Sequence, residues 1–198
     1  MTFARVDFAA SLLTNGKVLV IGGYKKSAEV YDPFTGTWTS TNSMNYPRHS
    51  HVAIALRTGQ IVITGRSFPT NAELYDPLTE VWTMTGAISY QISYHAACLL
   101  FNGKVLISDG FDGRTVRSSA ELYDPSTGVW TATGNMSTRR IKQCVEIYDP
   151  STGVWTPVEN MAYARRDHAT FVLSNGELLV SGGRGDSESM LNSAELFY

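Results

Sequence analysis

Cysteine is nearly missing from this chain. Two residues, Cys98 and Cys144, in 198 argue against a disulfide framework, and both read as small buried hydrophobes. Long apolar runs are missing too. No stretch approaches the roughly 20 residues that a membrane helix needs, so no membrane span is expected. Neither sign of charge dominates: 16 Lys+Arg stand against 18 Asp+Glu, for a net charge of -2. The longest basic runs are the pairs Lys25-Lys26, Arg139-Arg140 and Arg165-Arg166. Neither nucleic acid nor an anionic membrane surface is implied as a partner. Near the N-terminus, Asp7 stands where a secretory leader would be apolar, and a cytoplasmic location is expected by default. Walker loops, Cys-x-x-Cys pairs and nucleophilic triads are absent, as is any sustained helical periodicity. No metal and no cofactor are expected.

What the chain does contain is a repeated phrase. Glu29-Val-Tyr-Asp-Pro-Phe-Thr-Gly-Thr-Trp38 returns as Glu73–Trp82, Glu121–Trp130 and Glu146–Trp155, and a fifth copy begins at Glu195-Leu-Phe-Tyr198. Six positions after each Trp stand Met44, Ile88, Met136 and Met161. Ten positions on stand Arg48, Ile92, Arg140 and Arg165, and thirteen on stand His51, His95, Gln143 and His168. Met1, Arg5 and Phe8 fit the same frame. A fixed internal period of this size signals a repeat architecture. Residues that recur in every repeat build the repeat, and only what differs between repeats can carry specificity.

Each full period predicts four short strands. Asn15-Gly16, Thr58-Gly59, Asn102-Gly103 and Asn175-Gly176 each separate two apolar runs. They predict tight hairpins in which both turn residues take positive φ. The runs themselves are β-branched, as in Val18–Ile21 and Ile61–Thr64. Asp-Pro stops the third strand because proline cannot donate to a ladder, and Thr-Gly turns the chain into the Trp strand. In the second repeat the strands fall around His51–Leu56, Gln60–Thr64, Ala72–Tyr75 and Val81–Thr83. Four antiparallel strands per period read as propeller blades.

With Gly22-Gly23 after the second strand, Tyr31 in the third and Trp38 in the fourth, all recurring in register, the chain resembles the kelch repeat. The resemblance implies an all-β, kelch-type β-propeller of four-stranded antiparallel blades, here incomplete or shortened. The glycine pair becomes Gly65-Arg66 in repeat two and Asp109-Gly110 in repeat three; losing one glycine is tolerable where the replaced residue has an ordinary φ. Between the recurrent Arg and Glu, repeat four holds a span of 6 residues (Arg140 to Glu146), against 24 (Arg5 to Glu29) in repeat one. Its first two strands are therefore missing, and the fifth repeat lacks its last strand. The expected blades are 1–43, 44–86, 87–135, a truncated 136–160, and 161–198. A shortened ring leaves strand edges through which the chain could oligomerise.

The recurrent Tyr and Trp are expected to pack between neighbouring blades, and the recurrent Arg and Glu to form buried hydrogen-bonded pairs. The recurrent His is expected to satisfy backbone groups. A kelch-like propeller also occurs in copper-radical oxidases of the galactose oxidase type, which need a Tyr-His ligand pair, further Tyr and His ligands and a cross-linked Cys. Tyr94-His95 is the one such pair here, and His95 already belongs to the repeat. A fragment of such an oxidase, or a carbohydrate-binding propeller, is the alternative. Arg184-Gly-Asp186 and the sequon Asn135-Met-Ser137 read as chance matches in a chain without a leader.

The variable segments are the loops after the second strand of each repeat and the linkers leading into the next repeat, which repeat topology brings to one face. The residues expected to bind there are Lys25, Arg66, Phe68, Arg114, Arg117, Arg166 and Arg184. Arg and aromatic side chains are the types enriched at binding hot spots. The expected function is a non-catalytic interaction module whose ligand is a protein or a peptide.

Overall fold

The structure is a computed structural model that describes residues 1–66, 70–90, 92–108, 110–115, 117–136, 144–160, 169–172, 178–182, 189–190 and 192–197. Among these, every regular element is a β-strand. The chain packs as two units, Met1–Asn135 and Met136–Tyr198.

The first unit holds three four-stranded antiparallel sheets, each paired in sequence order. The first is β1 (Phe8–Leu12), β2 (Val18–Gly22), β3 (Ala28–Asp32) and β4 (Thr37–Thr41). The second is β5 (Val52–Ala55), β6 (Ile61–Thr64), β7 (Asn71–Asp76) and β8 (Val81–Ala87). The third is β9 (Ala96–Leu99), β10 (Val105–Ser108), β11 (Ala120–Asp124) and β12 (Val129–Ala132). In the second unit, β13 (Cys144–Asp149) pairs with β14 (Val154–Asn160), while β15 (Ala169–Val172), β16 (Leu178–Ser181) and β17 (Ala194–Phe197) form a three-stranded sheet. Among the described residues, repeat four contributes two strands and repeat five three.

The core lies between sheets, which explains why the second strand of each repeat is apolar on both faces. Ile61 and Ile63 of β6 pack with Leu19, Ile21 and Met44 in one cluster. Val62, pointing the other way by the period-2 rule, packs with Val105, Ile107 and Ile88 in the next.

The hairpins correct one expectation. Gly16, Gly59 and Gly103 have φ of 80°, 87° and 83°, but the preceding Asn15, Thr58 and Asn102 stay out of the left-handed region. The amide of Leu13 donates to Lys17 O at 2.8 Å, and Gly16 N to Leu13 O at 3.0 Å. This is a three-residue loop, a type I turn closed by a left-handed glycine. The Asn side chain favours it by accepting from its own i+2 amide, Asn15 Oδ1 from Lys17 N at 3.1 Å. Asp32, Asp76, Asp124 and Asp149 do the same in the Asp-Pro turns, accepting from Phe34, Leu78, Ser126 and Ser151 at 2.8–3.0 Å. Each aspartate therefore builds the turn that its proline begins.

Candidate functional site

The framework around the loop face is built from the recurrent residues. Arg48, 1% exposed, donates to Glu73 Oε1 (3.0 Å), Gly65 O (3.0 Å) and Asn71 O (2.6 Å). Arg5 repeats the pattern on Glu29, Gly22 O and Ser27 O. Each arginine thus ties the segment leading into a sheet to the third strand and the loop of the same sheet. Burial pulls the Arg48 pKa down, against the opposing charge of Glu73. Burial raises the Glu29 carboxyl, but the hydrogen bonds from Thr2 and Arg5 outweigh it and leave its pKa lowered. Repeat three has Ile92 in place of the arginine; Glu121 accepts from the Ser89 amide, at 3.1 and 3.3 Å, and burial pushes its pKa up.

Tyr and Trp face each other on adjacent strands of one sheet, with ring centroids 4.7 Å apart for Tyr75–Trp82 and 5.0 Å for Tyr31–Trp38, Tyr123–Trp130 and Tyr148–Trp155. The polar tips of Tyr75, Trp82 and Trp130 reach the preceding sheet. Tyr75 Oη and Thr41 Oγ1 share a hydrogen bond of 2.7 Å, and Trp82 Nε1 donates to Asn42 O at 2.8 Å. Trp130 Nε1 donates to Thr85 Oγ1 at 3.2 Å.

The histidines depart from expectation. His51 and His95 are buried, yet neither ring nitrogen of either has a close hydrogen-bond partner. Their rings press on the preceding sheet instead. A Cβ added to Gly22 would lie 2.6 Å from His51 Cε1, and one added to Gly65 would lie 2.5 Å from His95 Cε1. Gly22 and Gly65 are thus the seats for the next repeats' histidines. Gly23 and Gly110 instead lie against the lead-in segment of their own sheet, where an added Cβ would come 2.8 Å from Val6 O and 2.9 Å from Ser93 O. Arg66 replaces that second glycine without a positive φ. Tyr94 is exposed while His95 is buried, so the Tyr-His pair presents no joint ligand set. Among the described residues no group of three or more His, Cys, Asp or Glu side chains is placed to hold a metal.

On this frame the loops and linkers meet at one end of the sheets. Gly23 N and Tyr24 N donate to Arg48 O, Arg66 N donates to Ile92 O at 2.7 Å, and Phe111 bridges Ser93. Arg66 replaces a glycine here, and its side chain projects between two clefts without a hydrogen-bond or ion-pair partner among the described residues. One cleft is walled by Thr70, Tyr90 and Ile92, the other by Ser93, Phe111 and Asp112.

Arg117 is engaged in this way: its Nε donates to Asp112 Oδ2 at 2.7 Å, and its guanidinium lies 4.7 Å from the Tyr90 ring centroid. Asp112 also accepts from the amides of Arg114 (2.8 Å) and Thr115 (2.7 Å). The Thr115 and Arg114 amides, then Arg117, hold its pKa at about 2. Asp112 thus orders the loop that carries Arg114, whose guanidinium is itself unpaired among the described residues. Lys25 lies over the Phe3 ring at 4.8 Å. Phe68, Arg166 and Arg184 fall outside the described residues. Tyr90 and Phe111 join Arg66, and Tyr90 was missed in the sequence because it sits in a linker with no motif of its own. A larger open cleft, about 230 Å³, includes Asn15, Lys17, Asp32 and Thr39, but its Lys17 and Asp32 neutralise each other at 3.1 Å.

The family model described as the Kelch motif matches residues 7–45 and 93–137. Those two stretches carry kelch motifs. An F-box/kelch-repeat protein of Arabidopsis thaliana is 44% identical over 70 residues, which cover 32% of this chain and 18% of that protein. The kelch chain thus matches less than a fifth of that relative's length. The solved structure of YjhT superposes with a TM-score of 0.77 over 97% of this kelch chain and 81% of that chain, at 12% identity. That likeness shows the fold, an all-β kelch propeller architecture. Kelch repeats on such a fold support a protein-interaction module in general. No helix among the described residues is long and apolar enough to cross a membrane.

Proposed function

We propose that this kelch chain is a non-catalytic interaction module whose loop face takes up an acidic or mixed peptide segment. The observation that carries the reading is Arg66. Its guanidinium is uncompensated among the described residues, it separates two clefts, and Tyr90 and Phe111 flank it. An unpaired arginine beside aromatic rings is suited to a carboxylate with a neighbouring apolar side chain. Arg114 adds a second unpaired charge on a loop that Asp112 holds in place, which lowers the ordering cost of binding. Arg117 serves the loop and Lys25 serves Phe3, so both contribute less than their charge suggests.

The test is fluorescence polarisation with labelled Asp/Glu-rich peptides, alongside neutral and Lys/Arg-rich peptides as controls. Selective binding of the acidic set, weakened about tenfold or more by Arg66→Ala with Arg114→Ala, is the expected outcome. Equal binding of all three sets, or no effect of the double substitution, would remove the proposal.

A further inference from the structure

Three residues depart from the repeat at the junction of the first and second sheets. Thr37 stands where Val81, Val129 and Val154 stand in other repeats, Asn42 where Gly86 and Gly134 stand, and Glu80 where Gly36, Gly128 and Gly153 stand. Between the second and third sheets, Gly86 N donates to Gly128 O at 3.0 Å. Between the first and second, Asn42 Nδ2 donates to Glu80 O at 3.0 Å instead. A side chain thus makes the link that the backbone makes at the next junction, and room is left between the edge strands. The cleft of about 230 Å³ lies there. It opens beside the Asn15 hairpin and the Pro77 turn, at the opposite end of the strands from the loop face.

Its walls mix donors and acceptors. Thr37, Thr39 and Thr41 alternate along β4, so they share one of its faces, and all three line the cleft. Thr41 is tied to Tyr75 Oη and Thr37 to Thr35 Oγ1, each at 2.7 Å. The Thr39 hydroxyl is free among the described residues. Lys17 and Asp32 are paired at 3.1 Å, so they add polarity without net charge. Glu80 lines the cleft from the second sheet, and its carboxylate has no hydrogen bond or ion pair among the described residues. Leu13, Val30 and Pro77 supply apolar wall. Glu80 also holds φ of 58°, a conformation that glycine adopts freely and other side chains adopt at a cost. Repeat two therefore bears strain to place a free carboxylate in this cleft.

We propose that this cleft binds a small uncharged polyol, held at two neighbouring hydroxyls by Glu80 and at a third by Thr39. A carboxylate accepts at both oxygens, which suits a pair of vicinal hydroxyl donors, and threonine hydroxyls both donate and accept. An anion would meet the uncompensated charge of Glu80. An apolar molecule would strip water from that carboxylate and from Thr39 and satisfy neither. The cleft is several times the ~30 Å³ that one water occupies in the liquid, so it admits a small molecule and not only a bound water. The site shares no residue with the loop face and is independent of that reading.

Amide-resolved NMR titration of the full 198-residue chain tests this. The probes are glucitol, gluconate as its anionic counterpart, and a hexanediol hydroxylated only at its ends. The expected result is saturable shifts at the amides of Thr37, Thr39 and Glu80 with glucitol, and binding weaker by about tenfold or more for the other two. Thr39→Val should weaken glucitol by about threefold or more and Glu80→Gln by about tenfold. Glu80→Gln should also narrow the preference over gluconate, which a merely structural role would not do. Glu80→Gly should lose the binding while raising the urea midpoint, so that lost binding is not lost fold. Glucitol shifts that do not saturate would overturn the proposal. So would equal binding of the three probes, or Thr39 and Glu80 variants that bind like wild type.

Discussion

Glu121 is the recurrent glutamate without its arginine. Glu29 and Glu73 each have a guanidinium within 3.3 Å, whereas Ile92 stands at that place in repeat three. A buried carboxylate without a cationic partner favours its protonated form, and the Glu121 pKa is raised, first by burial. With the folded pKa above the unfolded one, its stabilising contribution is full below the unfolded carboxylate range and is lost as pH rises through the folded value. Glu121→Gln should therefore raise the melting temperature at pH 7 by roughly 2–4 °C, with little change near pH 4. Equal shifts at both pH values would show that the charge is not the cause. The glutamate was legible in the sequence as a repeat residue, and so was the substitution at Ile92. Its protonation preference was not, because it depends on how deeply the third strand is buried.

At the scale of the element, turn chemistry separates the repeats. The turn before each Trp strand needs a left-handed residue. Gly36, Gly128 and Gly153 supply it with φ of 68°, 72° and 73°, while Glu80 adopts φ 58° in repeat two. A side chain in that region costs about 1–2 kcal/mol, partly offset by the flexibility glycine adds to the unfolded chain. Glu80→Gly should stabilise the chain by up to about 1 kcal/mol in urea denaturation, and a loss of stability would count against strain at that turn. Strand order and hairpin positions followed from the repeat. The hairpin type did not, because Asn-Gly serves two loop lengths and the flanking strand register chooses between them. The strand at Val81 also runs on to Ala87, past the expected Thr83, where Gly86 N donates to Gly128 O of the next sheet at 3.0 Å.

Across the first unit, the three sheets are joined by a repeated seam. Asp7, Ser50 and Tyr94, each one residue before the Phe8/His51/His95 position, share a left-handed φ of 53°, 48° and 55°. They link in a chain, Ser50 N donating to Asp7 O and Tyr94 N to Ser50 O. Beside this chain lie the two buried histidines. Burial, then the Arg48 charge, pushes His51 to about 3, and burial pushes His95 to about 4. Their folded pKa values lie below the unfolded one. The stability they confer is therefore complete above about pH 6.5 and is lost as pH falls through the folded values. Urea denaturation should show a falling midpoint from pH 7 to pH 4. His51→Gln with His95→Gln, using the residue that stands in repeat four, should flatten that fall. An unchanged slope would mean that other groups carry the acid sensitivity.

The sequence by itself determined the all-β class, the kelch repeat, the order of strands, and the Arg–Glu pairs. All of these rest on periodicity or on contacts at one fixed spacing within a repeat. Only the tertiary structure decided which charges are free. Arg66, Arg114, Arg117 and Lys25 look alike as loop cations, but Asp112 and Tyr90 engage Arg117, Phe3 engages Lys25, and Arg66 stands between two clefts. It also decided that Gly22 and Gly65 seat the histidines of the next repeats. Those facts depend on how one repeat packs on another, and a pattern that is the same in every repeat cannot say which copy has a neighbour.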